Sequence, residues 1–284
     1  METVTHSNKD ITETISKNKF VRLAELPSLP ALLMEALREI NDSQDIGILA
    51  DKIGQDPPLV ARLLRIANSP FYGMSREIGT LREAIHLLGI NRVRHMLLGI
   101  CFPSMLPVPH KDFDYTTFWH HSMVVADCTR QLANATGIDR DSAFTAGLLH
   151  DIGRLIIVFL YPGEFSKIAA QSDQPLMLAE RQVLSFDHME IGGKAAQYWN
   201  LPIAIQESIE LHETPPEPND TKSLASLVYV ANLLAIESKQ QNESSLAREE
   251  AIRLTLDIHH IPLDKAALFV DAAKQFADQV VAAV

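Results

Sequence analysis

Apolar residues recur at spacings of three and four positions in nearly every segment of this chain longer than ten residues. That period is typical of amphipathic helices, whereas a half-buried strand would alternate apolar and polar positions. The pattern predicts an all-α fold, a multi-helix bundle. The later predicted helices cover residues 116–135, 141–160, 176–186, 188–199, 203–213, 222–237, Leu246–Leu256, and Leu263 to the C-terminus.

Helix starts are also visible in the first part of the chain. Ser28 is expected to cap the first helix, with Pro30 inside its first turn. Asp56 stands before two prolines, and Thr80 is followed three residues later by Glu83, which is the spacing of a capping box. These signals predict short helices joined by short loops.

A boundary is predicted where prolines cluster. Pro103, Pro107 and Pro109 lie between Cys101 and His110, and they are expected to prevent a continuous helix. The predicted organisation is a flexible tail at 1–20, an N-terminal helical subdomain at 21–110, a second helical subdomain at 111–240 packed against it, and a C-terminal helical extension at 241–284.

Composition narrows the classes of function. A chain of 284 residues with 46% hydrophobic content can bury a large core, and its formal charge of −11 argues against nonspecific duplex binding. Arg62 with Arg65, and Arg92 with Arg94, form basic spots that we interpret as solvated helix faces, with an acidic partner as the alternative. Nucleic acid is therefore a disfavoured partner.

The cellular setting follows from the cysteines and the apolar runs. Cys101 and Cys128 lie in apolar segments without a Cys-x-x-Cys spacing, which predicts buried, reduced thiols and excludes a thiolate zinc site. The first 18 residues are polar, and no run of about 18 apolar residues occurs. The expected location is cytoplasmic, without membrane insertion.

Helical phase selects the histidines that face the interior. His121 lies on the same stripe as Phe118 and Val125, whereas His120 is turned about 100° away. By the same reasoning, three further polar residues lie on apolar stripes. They are His188, His212 and Asn232.

The doublet His150–Asp151 follows an apolar run and precedes Gly153. A buried carboxylate requires a compensating cation, and imidazole with carboxylate suits iron, zinc or manganese. Two neighbouring ligands on one helix would then hold one ion or bridge two, and such an ion activates water for attack on a phosphoryl group. The alternatives are hydrogen-bonded core histidines and an Asp151 that caps a helix or pairs with Arg154.

Four N-terminal motifs together resemble the HDOD signalling domains, a branch of the HD superfamily of metal-dependent phosphohydrolases. The motifs are Leu26–Pro30, Asp56–Leu59, Asn68–Gly73 and Ala84–Gly89. The resemblance covers roughly residues 20–240 and implies that the second subdomain is an HD-like helical core.

Three later segments resemble that HD core, namely Phe118–Ser122, Gly147–Gly153 and His188–Gly192. The catalytic members of the superfamily use His, His, Asp and a later Asp as their basic ligands. The resemblance assigns the first three to His121, His150 and Asp151, and it places Asn232 at the position of the last Asp. An asparagine carries no charge, so the resemblance implies a degenerate metal site.

The chain also departs from the HD-GYP relatives that cleave cyclic di-GMP. Residues 211–216 read Leu-His-Glu-Thr-Pro-Pro, with one histidine and without the Gly-Tyr-Pro stretch. Arg154 stands where those relatives usually have lysine, and it is a candidate ligand-binding residue. Hydrolysis of cyclic di-GMP is therefore disfavoured.

Two main hypotheses remain. The first is a bacterial signalling module without catalysis, which binds a partner protein, a small anionic or nucleotide ligand, or both, with either no metal or a divalent ion at partial occupancy. The second is an active phosphohydrolase, mono- or dinuclear, with Asn232 as a neutral donor beside the other ligands, which are His121, His150, Asp151, His188 and His212. A weaker third hypothesis is nucleic-acid recognition by the N-terminal subdomain.

Overall fold

A computed structural model of the chain describes residues 19–28, 46–70, 72–106, 110–216, 223–237 and 246–282, and these residues form helices, turns and no strand. The predicted all-α fold is confirmed. A 3₁₀ turn at Val21–Glu25 precedes the helices. The first four are α1 (Ile46–Ile53), α2 (Pro57–Ala67), α3 (Leu81–Leu88) and α4 (Ile90–Met105). The next are α5 (Tyr115–Thr136), α6 (Arg140–Leu149), α7 (Ile152–Leu160), α8 (Pro162–Ala169), α9 (Leu176–Leu184), α10 (His188–Tyr198), α11 (Ile203–Leu211), α12 (Leu224–Glu237), α13 (Leu246–Ile258) and α14 (Leu263–Val281).

Local capping sets the beginnings of the N-terminal helices. The Asp56 side chain accepts a hydrogen bond from the backbone N–H of Leu59 and caps α2. Thr80 and Glu83 form a reciprocal capping box at α3. Both predicted caps are confirmed, because each satisfies backbone donors that the first helical turn leaves free. The predicted cap at Ser28 opens a segment, 29–45, that lies outside the described residues.

The N-terminal helices pack through fully buried side chains such as Leu63, Ile85 and Met96. Helix α4 also packs against α6 and so joins this group to the rest of the fold. In the second group α5 is central and packs against α6, α12 and α14. Phe276 of α14 is 1% exposed, so the C-terminal helix contributes to the main core.

The prediction of a single helix at 141–160 was wrong. Helix α6 ends at Leu149, α7 begins at Ile152, and His150–Asp151 form the turn between them. Asp151 has φ −98° and ψ 10°, outside the helical range, which redirects the chain. The two residues are therefore on a corner rather than on one helix.

Two further differences concern proline. Helix α4 continues through position 103 to Met105, so Pro103 does not end it at once, and the helix ends two residues later. Helix α8 was not predicted, although Pro162 at its first position is a typical helix start.

Lys19 and Phe20, which the sequence placed at the end of the tail, contact the core. Lys19 Nζ lies 2.9 Å from Glu190 Oε2, and the rings of Phe20 and Phe186 lie 5.1 Å apart.

In the described part of the chain, one stretch, 140–160, is long and apolar enough to cross a membrane, and 89% of its most apolar window is buried inside the fold. Such burial is typical of core helices.

Asn68 connects the end of α2 to the following loop. Its Nδ2 donates to the carbonyls of Leu64 and Ile78, each at 2.9 Å, and its Oδ1 accepts from the Ile78 N–H at 2.7 Å. We expect Asn68→Ala to lower the free energy of unfolding by about 1–3 kcal/mol, because the Ile78 backbone loses both partners. Urea denaturation measures this loss. Asn134→Ala, which removes one exposed acceptor for Arg140, is the matched control, and an equal effect would contradict the role of Asn68.

Candidate metal centre

Five side chains from separate parts of the core meet in one place. His121 is on α5, His188 opens α10, His212 follows α11, and His150 with Asp151 forms the α6–α7 corner. Ligand atoms of His121, His150 and Asp151 lie within 4.8 Å of one another, and so do those of Asp151, His188 and His212. Asp151 is thus shared by two adjoining groups.

Two glycines allow this convergence. A Cβ added to Gly153 would lie 1.8 Å from the His188 carbonyl oxygen, and one added to Gly192 would lie 2.8 Å from Ile209. Helices α7 and α10 therefore approach at backbone distance. This contact places Asp151, two residues before Gly153, beside His188.

The two carboxylate oxygens of Asp151 face different groups. Its Oδ1 lies 3.4 Å from His212 Nε2 and 3.6 Å from His188 Nε2. Its Oδ2 lies 3.8 Å from His150 Nε2 and 3.0 Å from Arg154 Nη1. The histidine distances are too long for hydrogen bonds and leave a gap between the atoms.

The tautomers of two histidines leave lone pairs facing that gap. His150 Nδ1 donates to the Gly147 carbonyl and His212 Nδ1 to the Ile209 carbonyl, each at 2.8 Å. Burial lowers the pKa of His150 well below its usual range, so this imidazole is neutral. Among the described residues, the Nε2 atoms of His150, His188 and His212 are buried without a hydrogen-bond partner. A neutral imidazole beside a carboxylate without a partner fits a bound cation, so these residues fit a divalent metal.

Glu180 orients His188. Its Oε2 lies 2.6 Å from His188 Nδ1 and also accepts from the His188 backbone N–H at 3.0 Å. Burial alone would lower the pKa of His188, but the hydrogen bond and negative charge of Glu180 raise it above its usual value. Carboxylate–histidine pairs of this kind commonly support metal ligands. Without a metal, the same pair favours a protonated His188.

The start of α10 is held by a second buried carboxylate. Asp187 caps the helix by accepting from the Glu190 N–H at 2.9 Å, and its other oxygen lies 2.7 Å from Arg181 Nε. His188 is the first residue of the helix, so this cap fixes its position at the rim of the gap.

His121 faces a neutral partner. Its Nε2 donates to Asn232 Oδ1 at 3.0 Å, and Asn232 is 3% exposed. His120, the neighbouring residue, is turned outward and lies 2.9 Å from Asp278. His121 Nε2 is thus engaged by a neutral amide.

Arg154 supplies a positive charge inside the site. Burial alone would raise the pKa of Asp151, but Arg154 and the surrounding imidazoles overcome that effect and hold it well below its usual range. Asp151 is therefore ionised. A protonated His188 and Arg154 balance the charges of Asp151 and Glu180, and Glu213, whose Oε1 lies 3.7 Å from His188 Nε2, leaves the cluster with one excess negative charge.

A cavity of about 560 Å³ opens onto this cluster, with Asp151, Arg154, His121 and Asn232 in its lining. Phe118 and Phe165 form part of its apolar wall. A cavity of this volume admits a ligand the size of a nucleotide.

Sequence reasoning missed two acidic residues of the site. Glu180 is 2% exposed, and Glu213 Oε1 lies 3.7 Å from His188 Nε2. Glu180 precedes Val183 by three residues and Leu184 by four, so it lies on the same helix face as these apolar residues. That spacing could have identified it as an inward carboxylate. Glu213 follows His212 directly and offered no phase signal of its own.

The helical core and the histidine cluster around a shared aspartate define a protein of the HD class. The family model of the HDOD domain matches residues 26–215, about two thirds of the sequence. The chain belongs to the HDOD family.

Several bacterial proteins are similar to it. A Geobacter sulfurreducens HDOD domain protein of unknown function has a TM-score of 0.73 at 24% identity, covering 94% of this chain and 97% of that one. A Shewanella amazonensis protein provisionally assigned as a phosphohydrolase has a TM-score of 0.72 at 27% identity, covering 92% and 97%. A Treponema pallidum protein without an assigned function is 29% identical over 220 residues, which is 75% of this chain. The matched part spans only 42% of that protein.

Proposed function

We propose that this protein is a bacterial signal-transduction module whose HD-type site is degenerate and which acts by binding rather than by hydrolysis. Its partners would be a signalling protein and a small anionic or nucleotide ligand in the cavity beside Arg154. The relatives support this class in part, since a protein provisionally assigned to signal transduction in Marinobacter aquaeolei has the same fold, at 22% identity and a TM-score of 0.72, covering 91% of this chain and 59% of that one.

The observation that carries the proposal is the pairing of His121 with Asn232 at 3.0 Å. A carboxylate at position 232 would give a metal both a ligand and a negative charge, whereas the amide gives no charge and accepts the His121 hydrogen. Arg154, at 3.0 Å from Asp151, supplies a resident positive charge where the metal would otherwise balance the carboxylate. Arg154 and a protonated His188 thus offset two of the three carboxylates of the site, which are Asp151, Glu180 and Glu213.

A second candidate function is metal-dependent phosphohydrolysis. It is favoured by the three buried Nε2 atoms that lack a partner within the described structure and face Asp151, which are those of His150, His188 and His212. When bound, a divalent ion would polarise a phosphoryl group and activate water. Asp151, His188 and His212 would hold it, and Glu180 would keep His188 in the required orientation.

Hydrolysis assays separate the two candidates. Cyclic dinucleotides, nucleotides and a generic phosphodiester are incubated with the protein and Mn²⁺, and the products are quantified. We expect the wild-type protein to give no more product than Asp151→Ala, because the site lacks one charged ligand. Asp278 is an exposed carboxylate paired with His120, so Asp278→Ala is the control. Turnover would establish the enzyme and refute the binding role if it disappears in Asp151→Ala but persists in Asp278→Ala.

A further inference from the structure

A second charged cavity lies on another side of the core. The interpretation of Arg92 and Arg94 as a solvated helix face was wrong, since Arg94 is 5% exposed and Arg92 is half-buried. Arg92 instead lines a cavity of about 350 Å³ together with Arg130 and Arg140. The three arginines come from α4, α5 and α6, so tertiary packing, rather than one helix face, brings them together.

Cations outnumber carboxylates in this cavity. Arg92, Arg130 and Arg140 face only one lining carboxylate among the described residues, Asp141, and Arg130 also binds Asp127 at 2.7 Å outside the lining. Three arginines against two carboxylates leave an excess of one positive charge. The formal net charge of the whole protein is −11, so this positive excess is a local exception.

Asp141 is already occupied by other groups. Its Oδ1 lies 2.9 Å from His95 Nε2, and its Oδ2 accepts from Asn91 Nδ2 at 3.1 Å. Arg140 Nη1 donates instead to Asn134 at 3.2 Å, which is a neutral acceptor. Arg140 therefore shares the one carboxylate of the described cavity wall, Asp141, with His95 and Asn91, and its remaining N–H groups can bind an anion.

Arg92 is held in a fixed orientation. Its guanidinium carbon lies 4.6 Å from the centre of the Phe276 ring, which is a cation–π contact. Its Nε is buried and has no hydrogen-bond partner among the described residues. A planar guanidinium held against a ring, with its Nε donor unpaired among the described residues, suits bidentate binding of a phosphoryl group.

We propose that this cavity binds the phosphoryl group of a small soluble phosphate compound through Arg92, Arg130 and Arg140. The first turn of α4 also lines the cavity, and Gly89, the residue before Ile90, provides no side-chain cap for it. Its backbone N–H groups therefore add donors to those of the arginines. The volume limits the ligand to small molecules, and the site is separate from the histidine cluster.

The position of the cavity gives binding a structural consequence. Arg92 belongs to the N-terminal helices, whereas Arg130 and Arg140 belong to the core around α5, and Phe276 belongs to the C-terminal helix. An anion held by all three arginines would join these parts. Bound ligand stabilises a folded protein by mass action, so pyrophosphate is expected to raise the unfolding temperature.

Calorimetric titration with pyrophosphate, without divalent metal and at low ionic strength, tests the proposal. We expect a saturable site that persists in Arg154→Gln, and whose affinity is at least about tenfold weaker in Arg92→Gln and in Arg140→Gln, since each loses a charge-assisted contact. Arg140 is exposed, so its replacement leaves the fold intact and keeps the test valid if Arg92→Gln is unstable. Arg92→Lys should bind more weakly than wild type because it keeps the charge but loses the planar fork.

Two controls locate the site. Arg82→Gln removes an arginine of α3 that is 65% exposed at its side chain and should bind pyrophosphate like the wild type. Arg154→Gln removes the arginine of the other cavity, so the losses caused by Arg92→Gln and Arg140→Gln should be the same in an Arg154→Gln background. The proposal is overturned by a lack of saturable binding, by full affinity in both Arg92→Gln and Arg140→Gln, or by loss only in Arg154→Gln. Equal affinity for succinate would refute the phosphate class.

Discussion

Gly153→Ala is expected to destabilise the protein by about 3 kcal/mol or more, because the added methyl group has no space. Its Cβ would lie 1.8 Å from the His188 carbonyl oxygen and 2.7 Å from the carbonyl carbon. Both atoms belong to the backbone, so a rotamer change cannot relieve the overlap, and helices α7 and α10 must separate. The separation would also move Asp151 away from His188.

The matched control is Gly163→Ala, another helical glycine in the same half of the protein. A Cβ at Gly163 would meet no described atom within 4 Å, and alanine favours helix over glycine by about 1 kcal/mol. Chemical denaturation of both variants gives the two free energies of unfolding. If Gly153→Ala were as stable as Gly163→Ala, the close approach of α7 and α10 would be wrong.

Asn232→Asp is expected to increase affinity for Mn²⁺ or Zn²⁺ by at least about tenfold. The change returns a carboxylate to a position 3.0 Å from His121 Nε2 and adds a negative charge opposite Arg154. A cation would then gain His121 and the new carboxylate as ligands beside His150 and Asp151. Isothermal titration with each metal measures the gain.

Asn134→Asp is the control for charge alone. It makes the same substitution on α5, 13 residues from His121, which is about 20 Å along a helix. We expect it to leave metal affinity unchanged. An equal gain in both variants would mean a general electrostatic effect, and no gain in Asn232→Asp would mean that the pocket has also lost the shape needed for a metal.

The sequence predicted the helical fold and the inward histidines because both depend on local periodicity. His121 and His120 are neighbours, yet a rotation of about 100° separates them, and the structure has the first inside and the second on the outside. The corner at His150–Asp151 escaped prediction since the apolar run continues through it, and only a backbone rotation at Asp151 ends the helix.

The charge balance of the site could not be predicted from the sequence. It depends on which groups meet Asp151 and His188 in space, and Glu180 of α9 reaches His188 at the start of α10 only in the folded chain. Pairing of Asp151 with Arg154 was one of the alternatives to a metal site, and the structure has that pair at 3.0 Å. The arginine cavity forms only where three helices meet, so the basic pair Arg92–Arg94 could not predict it from the sequence.

The metal content of the protein purified without chelator, measured by inductively coupled plasma mass spectrometry, tests the degenerate site most directly. We expect well under one equivalent of iron, zinc and manganese combined. Asn232 supplies no negative charge to a metal, and the positive charge of Arg154 already pairs with Asp151. One or two equivalents per chain that are lost in His150→Ala would contradict this expectation.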